Sequence, residues 1–435
     1  MSRGLGDVYK RQALILGIFI QTSAFGIEDV KKVYLQGAIN AAIENNLDLQ
    51  AAELNVNIAK NDIKSANRLQ NPSFDVFYNY GASGWTEPRQ LGLSQTVEVA
   101  KRRARKKLAQ SNLKLVEANV DYTRFDLKMD VREAYINLVA AKSILETLKQ
   151  QQHLQEDLLA IAQKRVEEGK VPDIDVIQAE IALNQMITQV NTAKVNVKNA
   201  LFAFNKIINN PKDITYDSMD NIFSEENNFD EMLTPSPNTK FPQLNEIMPK
   251  ALKNRYDIQI AKQEIDVAEK NLTVIARQRI PDISLSGGYA YQMPMHTDDG
   301  RFNSGGYIGA SLVNIPLFYN YSPEIQNATL KLQQAELKYQ SAQNKAEKDI
   351  GAAYDKFLTA AENLNYYESK ILISSGQLID ISKKAYESGK SDITALIVMK
   401  QSYKSIIVGY TYALTDYYNS WTNFLREVND ESFDL

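Results

Sequence analysis

Cysteine is absent from the 435 residues, which excludes disulfides, thiolate metal sites, a cysteine nucleophile and a lipidated N-terminal cysteine. Only two histidines occur, His153 and His296, so a multi-histidine metal centre within one chain is excluded as well. Glycine (19) and proline (12) are scarce, a bias toward long uninterrupted elements rather than a loop-rich fold. No apolar run reaches the roughly 20 residues that a membrane-spanning helix requires. A net charge of −4 gives no reason to expect a polyanionic partner, since nucleic-acid binding would want a basic face. Neither a Ser–His–Asp set, a phosphate-cradling glycine loop nor HExxH occurs, and no enzyme, cofactor or resident metal is expected. What is present, 44% apolar and 23% charged residues, is a globular composition.

The apolar stretch from Ala13 to Ile20, followed by "QTSAFG", has the core and small-residue cleavage zone of a secretory signal peptide. Cuts are expected after Ala24 or Gly26, and the protein is expected to be exported. The alternative is a short N-terminal hydrophobic strand or helix turn. Residues 1–12, "MSRGLGDVYKRQ", fit a signal n-region poorly, and "DVYKRQ" resembles a translated sequencing adapter. They are read as a non-native leader, with 13–26 the remainder of the signal.

Self-comparison shows one unit present twice. Asn45/Asn254, Asp48/Asp257, Gln50/Gln259, Ala52/Ala261, Ala59/Ala268 and Pro72/Pro281 all lie 209 apart. Further on, "KRVEEGKVPDIDVIQAE" answers "KKAYESGKSDITALIVM", with Gly169 and Gly389 separated by 220. The eleven extra residues fall between Pro281 and Pro316. The expected divisions are a first repeat over 27–210, a polar linker over 211–243 with at most one short element, a second repeat over 244–428, and a tail over 429–435.

Each repeat reads as helix, β-hairpin, then two long helices. A helix is expected from Tyr34 through Leu69, ended by Pro72. "SFDVFYNYG" alternates, placing Phe74, Val76, Tyr78 and Tyr80 on one face, with Phe77 the exception. In the second hairpin Ile283, Leu285, Tyr289 and Tyr291 share a face opposite Ser284, Ser286 and Gly288, while the return strand "GGYIGASLVNIPL" has no evident facing. The stretch from Val99 to Glu167 has no Gly or Pro and predicts a helix of roughly 100 Å at about 1.5 Å per residue. Its apolar stripe (Leu113, Val116, Val120, Thr123, Leu127, Val131, Ala134, Leu138, Ala141, Leu145, Leu148) advances in threes and fours, as a coiled-coil seam does. Gly169 and Pro172 turn the chain into a return helix, and Gly389 does so in the second repeat.

Strands that are apolar on one face and small or polar on the other suit a transmembrane barrel, lipid outside and water inside. Sheet edges cannot stay open in hydrocarbon. Four strands fall short of the roughly eight of the smallest closed barrel, so several chains must complete one.

The duplicated order, "LSQTVEVAKRRAR" at the strand-to-helix transition, and the turns "GKVPDIDVIQAE" and "GKSDITALIVMKQ" resemble the TolC-like outer-membrane efflux proteins over essentially the whole mature chain. The resemblance implies a mainly α fold with a small transmembrane β part. Three copies would form a twelve-stranded barrel in the outer membrane of a Gram-negative bacterium and a twelve-helix tunnel in the periplasm. It implies as partners a periplasmic adaptor, an inner-membrane pump and outer-membrane lipid, and cargo of drugs, metal cations or secreted proteins. Its function would be that of a passive exit duct; the alternative from another class is a soluble periplasmic coiled-coil scaffold or adaptor. "VEVAKRRARKKLA" further resembles the "E-x-x-G-K-R-x-A-R" segment of the heavy-metal cation branch through Lys101, Arg102, Ala104 and Arg105. Ala100 replaces its Gly, and Glu98 sits one residue too close. The competing reading is a basic cluster at the membrane boundary.

The resemblance also places a gate and adaptor-docking tip at Gly169, Lys170, Asp173, Asp175, Tyr386, Gly389, Lys390, Ser391 and Asp392. Tyr386 and Asp175 would bond between neighbouring hairpins. Ser391 stands where the family has its gate Arg, leaving Lys390 or Lys170 as weaker substitutes. The prototype's constricting aspartates fall at Ala395 and Val398, so only Asp173 or Asp392 could form a carboxylate ring. The competing reading for both is helix capping. Met293, Met295 and His296 suggest a soft-metal loop, although spare methionines in an extracellular loop are the expected reading.

Overall fold

The structure, a computed structural model, describes residues 29–81, 84–210, 214–219, 235, 241–293 and 303–430. The leader and signal segment, most of the linker, Met295 and His296 lie outside the described residues. In chain order the elements are β1 (Asp29–Val33), α1 (Leu35–Asn45), α2 (Leu47–Ala66), β2 (Ser73–Gly81), β3 (Gly84–Val97), α3 (Lys101–Glu167), α4 (Ile174–Ile208) and β4 (Ile214–Ser218). Then follow α5 (Leu244–Asn254), α6 (Tyr256–Ala276), β5 (Asp282–Met293), β6 (Asn303–Val313), α7 (Ser322–Tyr366), a π-turn (Tyr367–Ile371), α8 (Leu372–Glu387) and α9 (Ile393–Val428).

The expected helix over 34–69 is two helices, because the chain breaks at Asn46 (φ −68°, ψ 112°). Asn46 Nδ2 donates to Ile207 O at 3.1 Å, satisfying a carbonyl at the end of α4. The equivalent break lies at Arg255, which donates to Glu427 O at 3.2 Å near the end of α9. Both returning helices end on a left-handed asparagine, Asn209 (φ 54°) and Asn429 (φ 52°), a conformation asparagine tolerates better than most residues. The two halves thus terminate their helices alike.

The chain forms two compact units, each drawing on α3 and α9. The first comprises Met1–Asn46, Asp130–Phe229 and Ser375–Thr411. Here β1 pairs in parallel with β4, Asp29 opposite Ile214 and Val33 opposite Ser218, a pairing that a plain linker does not foresee. Asn205 bonds β4 through both Nδ2 to Tyr216 O and Oδ1 from Tyr216 N–H, each at 2.8 Å. Tyr135 donates to Val33 O at 3.1 Å and meets Phe204 edge-on at 5.8 Å.

The second unit comprises Leu47–Met129, Asp230–Ser374 and Tyr412–Leu435. Its core is aromatic: Phe241 lies 5.1, 5.3, 5.7 and 5.8 Å from Phe357, Phe424, Tyr354 and Trp421. Such pairs contribute about 0.5–1.5 kcal/mol each beyond their buried area. Buried Arg255 is neutralised by Asp257 (2.8 Å) and Glu427 (2.5 Å). The unit also holds the antiparallel sheet β2-β3-β5-β6, whose outer strands β2 and β6 each leave one edge unpaired.

Candidate functional site

The two turns at the ends of α3 and α8 share one backbone closure. Gly169 (φ +67°) and Gly389 (φ +70°) adopt the left-handed conformation that a side chain disfavours. Lys170 N–H bonds Arg165 O and Gly169 N–H bonds Val166 O, both at 2.9 Å. Lys390 N–H bonds Ala385 O (2.9 Å) and Gly389 N–H bonds Tyr386 O (3.0 Å). These are paired Schellman closures, and they fix where each helix must stop. Asp392 caps α9, its Oδ1 accepting Ala395 N–H at 2.7 Å. Asp173 makes no side-chain cap on α4. Lys170 is paired with Glu168 at 2.7 Å, and the Ser391 hydroxyl stays local, 3.4 Å from Asp392 O.

Tyr386 is buried rather than displayed. It packs among Leu158, Ala162, Ala179, Ala182, Ile393 and Leu396. Within the chain it is not joined to Asp175; its partner is Arg165, a residue the sequence reading missed. The Arg165 guanidinium lies 4.7 Å from the ring centroid, and Nη1 donates to Tyr386 O at 3.2 Å. The Tyr386 hydroxyl is buried with no hydrogen-bond partner among the described residues. At the corresponding positions of the other turn stand Val166 and Ala385. The two turns therefore differ here, one cross-linked pair standing where the other has Val166 and Ala385, with no sequence-local signal to reveal it.

Below the turns, α9 is held by polar contacts. Thr394 Oγ1 donates to Gln178 Oε1 (2.9 Å), Lys404 Nζ to Gln189 Oε1 (2.7 Å) and Lys400 Nζ to Leu154 O (2.8 Å). Burial pushes the Lys400 ammonium down to about 8, because the charged form loses hydration that one carbonyl does not replace.

The sheet register settles the faces. Ile283 pairs with Leu312, Leu285 with Ala310 and Gly287 with Ile308. One face therefore carries Ile283, Leu285, Tyr289 and Tyr291 together with Ile308 and Leu312, all exposed. It continues across β3 and β2 through Leu93, opposite Phe74, and Leu91, opposite Val76. Phe77 pairs with Gln90 and so lies on the opposite face, just before the register shifts between Phe77 and Tyr78; the side chains of both are exposed. The backbone of Tyr80 pairs with Trp85. The other face is Gly92, Ser94, Ser284, Ser286, Gly288, Tyr307 and Ser311. No helix among the described residues is long and apolar enough to cross a membrane. Among the same residues no group of three or more His, Asp or Glu could hold a metal ion.

A family model described as outer membrane efflux protein matches residues 38–210 and 247–405. The chain belongs to the outer membrane efflux protein family. It is thereby an outer-membrane efflux channel, of a transport family rather than an enzyme family, and the soluble-scaffold alternative falls. Similar solved structures include the CmeC outer membrane channel of Campylobacter jejuni, with TM-score 0.72 and 18% identity, covering 92% of this chain and 87% of that one. CusC gives TM-score 0.73 and 15% identity, covering 94% and 95%. The open state of the MtrE outer membrane channel of Neisseria gonorrhoeae gives 0.70 and 18%, covering 91% and 89%. At such identities the likeness shows the fold alone. No functionally curated protein sequence matches.

In this efflux protein the segment that resembles the metal-cation branch works as bracing. Lys101 bonds Asp282 (2.7 Å), Arg105 grips Glu98 with both nitrogens at 2.5 Å, and Arg102 Nε donates to Asn67 O (2.8 Å). Arg277 Nη1 donates to Ala100 O at 2.9 Å, and Arg279 Nε to Asn320 O at 2.6 Å. Five cations thus tie α2, α3, β5 and the 310 turn after α6 into one junction, a structural use that carries no information about cargo.

Proposed function

We propose that this efflux channel works as a homotrimer, a passive exit duct gated at the Gly169 and Gly389 turns. Its periplasmic turns dock an adaptor protein and, through it, an inner-membrane pump. The observation that supports this best is the open four-stranded sheet, apolar on one face and glycine- and serine-rich on the other. Phe74, Val76, Tyr78, Tyr80, Ile283, Leu285, Tyr289 and Tyr291 face lipid, and Ile308 and Leu312 extend that face along β6. Because hydrocarbon offers no partner to the bare edges of β2 and β6, one copy's β6 pairs with the next copy's β2. At the tip, Arg165 clamps Tyr386, while Gly169, Lys170, Asp173, Asp175, Gly389, Lys390, Ser391 and Asp392 form the surface offered to the adaptor. Asp392 serves a second purpose there as a cap. The two sequence halves are duplicated repeats.

Detergent-extracted protein should run as a trimer and conduct in planar bilayers. A water-soluble, non-conducting monomer would overturn the proposal.

A further inference from the structure

The junction between sheet and helices holds positive charge that the bracing does not use. The chain as a whole carries a net charge of −4. Yet Arg68, just past α2, and Arg103, Lys106 and Lys107 in the first turns of α3 have no carboxylate partner among the described residues. Arg68, Arg103 and Lys107 are exposed and Lys106 is half-buried. Their direction follows from Lys101, which reaches Asp282, a β5 residue on the same face as Ser284 and Ser286. At about 100° per residue, Arg103 and Lys107 sit roughly 200° and 240° around the helix from Lys101. They project from the side of α3 away from the one that Lys101 turns to Asp282.

The same junction presents a loop between β6 and α7. Leu317 is 77% and Phe318 fully exposed. Neighbouring residues are pinned: Asn314 Nδ2 donates to Asp282 Oδ2 (3.1 Å), and the Tyr319 hydroxyl to Glu324 Oε1 (2.6 Å). Two bare apolar side chains on a loop tied through Asn314 and Asp282 to Lys101, together with four cations that have no carboxylate partner among the described residues, suit a headgroup layer. The apolar tips enter the acyl chains while the cations meet phosphate.

We propose that this junction binds the anionic glycerophospholipids of the periplasmic leaflet, Arg68, Arg103, Lys106 and Lys107 gripping the headgroup phosphates and Leu317 and Phe318 anchoring below them. The inference rests on the outer-membrane reading above. Charge complementarity selects the partner, at about fivefold in affinity per Lys or Arg near the surface, and salt weakens the contribution.

The test places the trimer in nanodiscs of phosphatidylethanolamine alone or mixed with phosphatidylglycerol, and reads its melting temperature at low and high salt. The wild type should melt higher with phosphatidylglycerol, and salt should shrink the difference. The combined R68E, R103E and K107E variant should lose the difference, whereas Phe318→Ser should lower melting in both lipids and keep it. A phosphatidylglycerol shift unchanged in the charge-reversal variant overturns the proposal. So does an altered ion selectivity of that variant's channels with the lipid shift intact, since the cations would then line the lumen. Failure of the wild type to conduct at all would instead overturn the duct, so the two failures are distinguishable.

Discussion

Arg165 and Tyr386, separated by 221 positions in the chain, are held ring against guanidinium at 4.7 Å with a hydrogen bond from the same side chain to the tyrosine carbonyl. Each comes from a different turn, so this pair fastens one hairpin end to the other. Arg165→Ala should loosen the tip by about 0.5–2 kcal/mol and raise single-channel conductance in planar bilayers. Arg165→Lys keeps the charge but not the planar fork and should rescue only in part. Wild-type conductance in both variants would rule out a latch here.

Removing the Tyr386 hydroxyl separates two views of that residue. Buried and unpartnered among the described residues, the hydroxyl is a liability, and Tyr386→Phe should be neutral or stabilise by about 1 kcal/mol. Were Asp175 of a neighbouring hairpin its partner, the same variant would destabilise instead. Thermal melting of the assembled protein decides between them.

Lys400 makes the stability of its unit depend on alkaline pH. Burial holds its folded pKa at about 8 against 10.5 when free, so between these values the unfolded chain binds a proton that the folded chain does not. Stability therefore rises as pH climbs from about 8 toward 10.5, and the penalty is fully present below that window. Lys400→Met should melt higher than wild type at neutral pH, the gap closing through the window. A gap constant with pH would contradict the assignment.

In the sheet, Gly92, Gly288 and Tyr307 form one cross-strand row. A side chain at Gly92 would meet the movable end of Tyr307, whereas one at Gly288 would meet the backbone of Leu91 and Gly92. Gly288→Ala should therefore be the worse change, by about 1–3 kcal/mol as overpacking typically costs. Combination with Tyr307→Ser should relieve Gly92→Ala but not Gly288→Ala. Heat-modifiable mobility of the assembled protein on gels is a suitable readout.

Much of this was legible because it is local. A glycine that must be left-handed announces the helix ends at 169 and 389, and alternation announces β2 and β5. What escaped reading is long-range. β1 finds β4 across most of a repeat, and nothing in five residues such as "DVKKV" names a parallel partner. The break at Asn46 has neither Gly nor Pro; what accompanies it is a side-chain bond to Ile207 O, 161 positions away. Nothing in the local sequence sets Arg165 apart from Lys164 beside it. The face of β6 was hidden by its glycines and became readable only through register with β5.

The bare edges of β2 and β6 have a genetic consequence. In a trimer each seam joins one copy's β6 to the next copy's β2, so one copy with a damaged edge opens one of the three seams and with it the whole ring. Equal co-expression of intact and edge-damaged chains would leave only about one trimer in eight wholly intact. Edge lesions such as a proline in β6 should therefore behave as dominant inhibitors of efflux, while a chain truncated before β2 should be recessive.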